Sequence, residues 1–134
     1  NVCQTGLLRV FVAIFRVIRI KKLGEKMVNM VKDDSIQIEK LELGPYGTNA
    51  YFLICRQTGA SVLVDAPDEA NKILAQLKGT DPRYILMTHN HMDHTGALAE
   101  VKSALNVPIA AHCDDAGNLP LKPDMLLDDN DVID

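Results

Sequence analysis

Apolar and polar residues alternate along the stretch SIQIEKLEL, residues 35–43. One side of this stretch is formed by four aliphatic residues: Ile36, Ile38, Leu41 and Leu43. A period of two residues is typical of a strand with one exposed face, although the alternation slips once at Lys40. The next stretch, GPYGTN at 44–49, has the composition of a turn. The pattern therefore predicts a strand over 35–43, followed by a reversal of the chain.

Two more apolar runs come after this turn, AYFLICR at 50–56 and SVLVD at 61–65. Their length and their content of β-branched and aromatic residues are typical of strands. The four residues between them, QTGA, contain a glycine of the kind that short hairpin loops favour. We predict two strands that form a hairpin.

A helical period begins after the third predicted strand. Pro67 and Asp68 are of the types that open helices, and Gly79 is of the type that follows a last turn. Between them, apolar residues recur every three or four positions: Ala70, Ile73, Leu74 and Leu77. This spacing predicts an amphipathic helix that buries one stripe.

The rest of the chain repeats the alternation of strand and helix. The run RYILMT at 83–88 predicts a buried strand, residues 95–105 predict one continuous helix, and VPIAA at 107–111 predicts another strand. Residues 119–134 predict a loop that ends where a further strand begins, at DVID. The order of strands, helix, strand, helix and strand indicates a layered α/β fold.

Residues 1–26 differ from the remainder in pattern and in charge. They combine an apolar run with six basic residues and one acid, whereas the other 108 residues carry 8 basic and 17 acidic residues. A basic amphipathic segment is typical of membrane-surface or transit sequences. The pattern of 1–26 is unrelated to that of residues 35–134, so we expect a non-native or disordered extension ahead of a domain at 35–134.

The amino-acid composition indicates which kinds of binding partner and which cellular compartment to expect. The acidic body disfavours a nucleic-acid partner, since phosphate binding needs clustered lysine and arginine. No apolar run is long enough and uncharged enough to cross a bilayer. Three widely spaced cysteines, at Cys3, Cys55 and Cys113, do not form a CxxC pair. We expect no disulfide framework, and a reducing, cytoplasmic location.

Three of the four histidines of the chain fall within the segment THNHMDH, residues 88–94. His89, His91, Asp93 and His94 follow a predicted buried strand and precede a predicted helix, which is where α/β folds place ligands. Imidazole and carboxylate groups bind zinc, and they also bind iron or manganese. The segment therefore predicts a metal site.

The segment THNHMDH resembles the T-H-x-H-x-D-H signature of the metallo-β-lactamase fold superfamily. Upstream, GPYGTNAYFLI and VLVDAP resemble the opening strands of its glyoxalase II-like hydrolases, also called hydroxyacylglutathione hydrolases. Downstream, VPIAAHCDDAGNL and PDMLLDDNDVID resemble the same subfamily. The resemblance covers residues 36–134. It implies the first half of an αββα sandwich.

This resemblance also implies roles for individual residues. His89 and His91 would bind one metal, and Asp93 and His94 would bind the second, with zinc as the expected pair of ions. Asp65 would support the site as an acid that orients a ligand histidine. A metal-bound hydroxide would hydrolyse a small-molecule thioester or ester, with Asp93 as the catalytic residue that aligns the water and moves its proton.

The family pattern includes a later histidine in a GHTPG-like stretch and further ligands that this sequence does not display. His112, the remaining histidine, does not match any of them, so we expect it to be an ordinary, partly exposed residue. We therefore expect the N-terminal half of the domain, truncated and weakly active or inactive. Its exposed half-fold surface would favour a homodimer.

Two other functions are consistent with the same residues. The loop does not distinguish zinc from iron, so an iron-dependent member of the persulfide dioxygenase or flavodiiron type is one alternative. The other is a non-catalytic module that binds metal and associates with itself.

Overall fold

The computed structural model describes residues 28–133, so the predicted extension at 1–26 lies outside the described residues. One sheet contains seven strands in sequential order: β1 (Val28–Lys32), β2 (Ile36–Leu43), β3 (Thr48–Cys55), β4 (Ala60–Val64), β5 (Asp81–Met87), β6 (Ile109–His112) and β7 (Met125–Leu127). Four helices connect the later strands: α1 (Ala70–Leu77), α2 (Met92–Thr95), α3 (Leu98–Leu105) and α4 (Cys113–Ala116). The mixed α/β class predicted from the sequence is confirmed.

The first four strands are joined by short turns and pair in antiparallel fashion. The β2–β3 hairpin runs in unbroken register from Ile36 opposite Cys55 to Leu43 opposite Thr48. Two glycines of the connecting turn, Gly44 and Gly47, have positive φ angles of 68° and 63°, which side chains rarely adopt. The predicted turn at 44–49 therefore reverses the chain and brings the start of β3 to one end of the sheet.

From β4 onward the strands are parallel, so their carboxyl ends meet at one edge of the sheet. Val64 at the end of β4 lies opposite Leu86, and Met87 at the end of β5 lies opposite Ala111. The segments that come after β4, β5 and β6 are therefore neighbours in space. This edge is where the predicted metal segment lies.

Helices α1 and α3 cover one face of the sheet. Ile73 of α1 and Leu98 and Val101 of α3 are fully buried against Phe52 and Ile85 of the strands. Burial of side chains of this size stabilises a fold by about 1.5–3 kcal/mol each. The apolar stripe that predicted α1 is thus part of this core.

The opposite face of the sheet carries a second apolar cluster. Ile38, Leu53, Val62, Val64 and Leu86 belong to it and are only 1–5% exposed. The exposed half-fold surface expected from the sequence is therefore not found at these five residues. The homodimer that was expected through that surface stays a prediction.

The helix predicted over 95–105 is interrupted, which corrects the sequence-based interpretation. Helix α2 ends at Thr95 and α3 begins at Leu98. Between them, the amide of Ala97 donates to the carbonyl oxygen of Ala66, and the amide of Ala66 donates to the carbonyl oxygen of His94. A Cβ atom at Gly96 would lie 2.4 Å from the oxygen of Pro67. Contact with the segment after β4 breaks the helix here.

Other features also differ from the predictions. The sheet begins at β1, ahead of residue 35, and α4 was not anticipated. The last described strand is β7 at Met125–Leu127, inside a segment that was predicted to be loop, whereas 131–133 form no strand. Cys55 is disulfide-bonded, contrary to the expectation for the cysteines, while Cys113 is a free and exposed thiol. Within residues 28–133, helices long and apolar enough to span a membrane are absent.

Candidate metal centre

The THNHMDH segment connects β5 to α2 at the carboxyl edge of the parallel strands. His89 lies in the loop, His91 precedes the first residue of α2, and Asp93 and His94 lie in that helix. The segment is therefore half loop and half helical turn. The helical turn places Asp93 and His94 on the same side as the histidines of the loop.

The three imidazole rings of this segment lie against one another. The centroid of the His89 ring is 4.5 Å from that of His91 and 4.0 Å from that of His94. His89 and His94 are partly buried, whereas His91 is exposed. The structure thus brings together the histidines that the sequence predicted as ligands, with His89 in the centre.

Asp65 supports this group from the end of β4. Its carboxylate accepts hydrogen bonds from the amide and the hydroxyl of Thr88, at 2.8 and 2.6 Å, and from Nδ1 of His94 at 2.7 Å. The residue is 2% exposed, and its φ of 61° is the left-handed conformation that aspartate adopts more readily than most residues. This backbone turn directs the carboxylate toward the loop.

The hydrogen bonds of Thr88 and Asp65 fix which nitrogen of each ring is free. The hydroxyl hydrogen of Thr88 goes to Asp65, so its oxygen accepts from Nδ1 of His89 at 2.8 Å. Nδ1 of His94 donates to Asp65 in the same way. In the neutral form of each ring the proton is therefore on Nδ1 and Nε2 is unprotonated, which is the form of imidazole that binds metals.

Asp93 is held by a residue from the β2–β3 hairpin. The hydroxyl of Thr48 donates to Oδ2 of Asp93 at 2.8 Å. This hydrogen bond is the main cause that lowers the pKa of Asp93 below its ordinary value, and nearby His94 and His91 lower it further. The same Oδ2 lies 3.7 Å from Nε2 of His94. Asp93 is therefore an ionised carboxylate beside a free imidazole nitrogen.

Electrostatics also favour the neutral form of His89. Burial is the main cause that lowers its pKa, followed by the neighbouring charge of His94, while Asp65 opposes the change. A lowered pKa means that the ring is unprotonated near neutral pH. Since metal ions compete with protons for imidazole, this environment prepares His89 to act as a ligand.

The donor set fits a divalent metal ion. Two ligands about 2.1 Å from a tetrahedral ion are roughly 3.4 Å apart, close to the separation between Asp93 and His94. Donor atoms of Asp65, His89 and His94 also lie within 4.8 Å of one another. The carboxylate of Asp65 is already engaged by Thr88 and His94, which makes it a support for the ligands rather than a ligand.

Sequence reasoning missed three residues that hold the site, namely Thr48, Thr88 and Asp115. Oδ1 of Asp115 in α4 accepts from the amide and the side-chain nitrogen of Asn90, at 3.1 and 2.8 Å. Thr48 and Asp115 are far from the motif in sequence, so no local pattern marks them. Thr88 is the first residue of the motif, and its hydroxyl was the one available signal.

His112, at the end of β6, lies apart from the three converging rings. Its Nδ1 accepts from the amide of Asp114 at 3.3 Å and lies 3.9 Å from Sγ of Cys113, and its Nε2 lies 3.9 Å from Asp128. These side chains are largely exposed. His112 caps the short helix α4, as a partly exposed residue at the end of a strand.

Comparison with known proteins places this geometry in a family. The model of the metallo-beta-lactamase superfamily matches residues 43–132. Among solved structures, the BLEG-1 B3 metallo-beta-lactamase superposes with a TM-score of 0.63 at 26% identity, covering 69% of this chain and 54% of its own. The di-iron-bound form of TTHA1623 superposes with a TM-score of 0.60 at 32% identity, covering 70% and 56%.

Relatives in sequence agree with this result. A probable metallo-hydrolase, YqgX of Bacillus subtilis, is 39% identical over 75 residues, which are 54% of this chain and 35% of the relative. A hydroxyacylglutathione hydrolase of Anaeromyxobacter dehalogenans is 40% identical over 81 residues, which are 60% of this chain and 31% of the relative. The matched part therefore spans about a third of each of these relatives. The match to the family model covers well over half of the chain, which belongs to the metallo-beta-lactamase superfamily.

Proposed function

We propose that this chain carries the metal-binding part of a hydrolase that cleaves thioesters of the hydroxyacylglutathione type. The observation that carries the proposal is the convergence of His89, His91 and His94, with Asp93 beside them. The relatives named hydroxyacylglutathione hydrolase, at about 40% identity, support the choice of thioester.

Each side chain has a role that derives from its contacts. His89 and His94 would bind metal through Nε2, because Nδ1 of each ring is occupied by Thr88 or Asp65. His91 adds a third imidazole at the exposed side. When bound there, a divalent metal supplies Lewis acidity toward an acyl carbonyl and lowers the pKa of a coordinated water.

Asp93 is the residue that handles the proton. Thr48 keeps its carboxylate ionised, so it accepts the proton that water loses as its oxygen bonds to the acyl carbon. The C–S bond then breaks, and the thiol leaves with that proton. The products are a carboxylic acid and a free thiol, which balances the addition of one water to the thioester.

Two metals remain candidates for the site. Zinc suits the imidazole and carboxylate set, and manganese is compatible with it. Iron is favoured by one specific observation, the likeness to TTHA1623, whose solved form is di-iron-bound. An iron-loaded site of the dioxygenase or flavodiiron type is therefore the second candidate function.

The test is to load the purified chain with zinc, iron or manganese, dialyse it, and measure bound metal and thiol release from a hydroxyacylglutathione thioester. We expect bound metal and slow, metal-dependent hydrolysis that Asp93→Asn reduces toward the uncatalysed rate. We expect turnover below about one per second, because four candidate ligands in residues 28–133 would serve two ions. Bound metal without hydrolysis would contradict the proposed thioester substrate but not the proposed metal site.

A matched control uses the histidine outside the cluster. His112→Ala removes an imidazole from the neighbouring strand end without touching the three converging rings. We expect its metal content and hydrolysis rate to equal those of the unmodified chain. An equal loss in both variants would show that the activity does not come from the segment at 88–94.

A further inference from the structure

Asn90 stands between the first two histidines of the motif. In an extended loop, consecutive side chains point to opposite sides, so the side chain between His89 and His91 points away from theirs. The structure shows what it meets there. One carboxylate oxygen of Asp115 accepts from both the backbone amide and the side-chain amide of Asn90.

These two hydrogen bonds restrain both the backbone and the side chain of one loop residue. Asp115 is partly buried and lies in α4, directly after β6, which pairs with β5. The loop is thus attached to the next strand of the sheet as well as to Asp65. A charged acceptor makes stronger hydrogen bonds than a neutral one, so this attachment is well suited to hold the loop in a single shape.

We propose that Asp115 is a positioning residue for the metal centre, which holds Asn90 so that His89 and His91 face the same point. The inference rests on the proposed metal site and deepens it. Asp115 does not contact the ring of a ligand, and it acts through Asn90. The neighbouring acid Asp114, whose side chain is 86% exposed, makes no such contact with the loop.

The charge of Asp115 is the competing explanation for any effect. Asp115 lies close enough to His89 to favour the protonated ring slightly, against the stronger effect of burial. A change that removes the charge and keeps the acceptor oxygen separates the two explanations. Asp115→Asn does this, because its amide oxygen can still accept from both donors of Asn90.

The experiment measures the zinc affinity of the full chain by competition with a chromophoric chelator. We expect Asp115→Ala to weaken zinc binding about 10- to 100-fold, as is usual for groups that orient ligands. We expect Asp115→Asn to stay within about threefold of the unmodified chain. Asp114→Ala is the matched control, which removes an adjacent charge and should leave the affinity unchanged.

Several outcomes would overturn the inference. Affinity of Asp115→Ala within threefold of the original, or an equal loss in Asp115→Asn or Asp114→Ala, would exclude positioning through Asn90. If Asp115→Ala does not fold, as judged by circular dichroism without metal, Asn90→Ala replaces it and should weaken binding while Asp115→Asn does not. Failure of the unmodified chain to bind zinc, iron or manganese would instead refute the proposed function itself.

Discussion

Two groups of histidine and acidic residues lie at the ends of neighbouring parallel strands, and they differ in their surroundings. After β5, the rings of His89, His91 and His94 converge, and residues from three other parts of the chain hold them. After β6, His112 is partly exposed, its neighbours Cys113 and Asp114 are exposed, and the three contact mainly one another. Both groups have donor atoms close enough for a metal.

The difference shows that ligand types and spacing do not by themselves make a metal centre. The group after β6 has its histidine Nδ1 occupied as the cap of α4, and the carboxylates of Asp114 and Asp128 beside it are largely exposed. In the group after β5, Nδ1 of His89 and Nδ1 of His94 are occupied by Thr88 and Asp65, which leaves Nε2 of both rings available to a metal. Orientation by distant residues is what separates the two.

The largest expected effect removes two ligands from the first group. His89→Ala combined with His91→Ala should abolish stoichiometric binding of zinc or iron at neutral pH, because metal affinity depends steeply on the number of ligands. Plasma mass spectrometry after dialysis measures the bound metal. The paired change of His112 and Asp114 to alanine should leave the metal content unchanged. If the variant of His112 and Asp114 loses metal instead, the group after β6 binds the ion and the group after β5 does not.

The next effect concerns the support of the first group. Asp65→Ala should lower the free energy of unfolding by about 2–4 kcal/mol, because Thr88 and His94 lose a buried acceptor and alanine adopts the left-handed conformation poorly. Thermal or urea unfolding without metal measures it. Asp65→Asn keeps the backbone conformation and an acceptor oxygen, so its loss should be smaller. Equal losses would show that the charge alone matters.

A smaller effect is expected at Thr48. Thr48→Val removes the hydroxyl that lowers the pKa of Asp93, so this pKa should rise toward its ordinary value. Asp93 would then ionise at a higher pH, and protons would compete with metal over a wider acidic range. Because aspartate at its ordinary pKa of about 3.9 is ionised at neutral pH, this competition matters only below about pH 5. At neutral pH we expect metal affinity to fall roughly three- to tenfold, because the carboxylate loses the group that orients it. Thr48→Ser, which keeps the hydroxyl, should bind normally, and carboxyl titration by NMR reports the pKa directly.

The smallest effect is expected in the second group. Asp128→Asn removes an exposed acid 3.9 Å from His112, and exposed ion pairs stabilise proteins by about 0–1 kcal/mol. We expect a change in unfolding free energy below about 0.5 kcal/mol and no change in bound metal. A clear loss of metal in this variant would mean that the group after β6 binds an ion of its own.

The sequence predicted the parts of the fold that depend on local period. The alternation at 35–43 and the apolar stripe at 70–77 each correspond to an observed element. The single buried face predicted for the strand was wrong, because Ile36 and Ile38 pack on one side of the sheet and Leu41 and Leu43 on the other. The interruption between α2 and α3 was not predictable, because it is made by hydrogen bonds to Ala66, 28 residues upstream of His94. Similarly, β7 is a three-residue strand that exists through its pairing with β6.

For the candidate site, the sequence predicted which residues are the donors but not how they are oriented. The motif identified His89, His91, Asp93 and His94, and the family resemblance added Asp65, which the structure places against His94. Thr48 and Asp115 could be identified only from the structure, because their hydrogen bonds join segments that a local sequence pattern does not connect. The role of each donor toward a metal stays a prediction until metal binding is measured.

The three hydrogen bonds that orient the centre have a consequence for how the chain folds. Thr48 and Asp93 are 45 residues apart, His94 and Asp65 are 29 apart, and Asn90 and Asp115 are 25 apart. Contacts of such separation require large loops to close, so they form late relative to hairpins and helices. The centre thus reaches its ligand geometry only after the strands from β3 to β6 have aligned. The time at which metal binds during refolding would therefore measure the completion of the sheet rather than its nucleation.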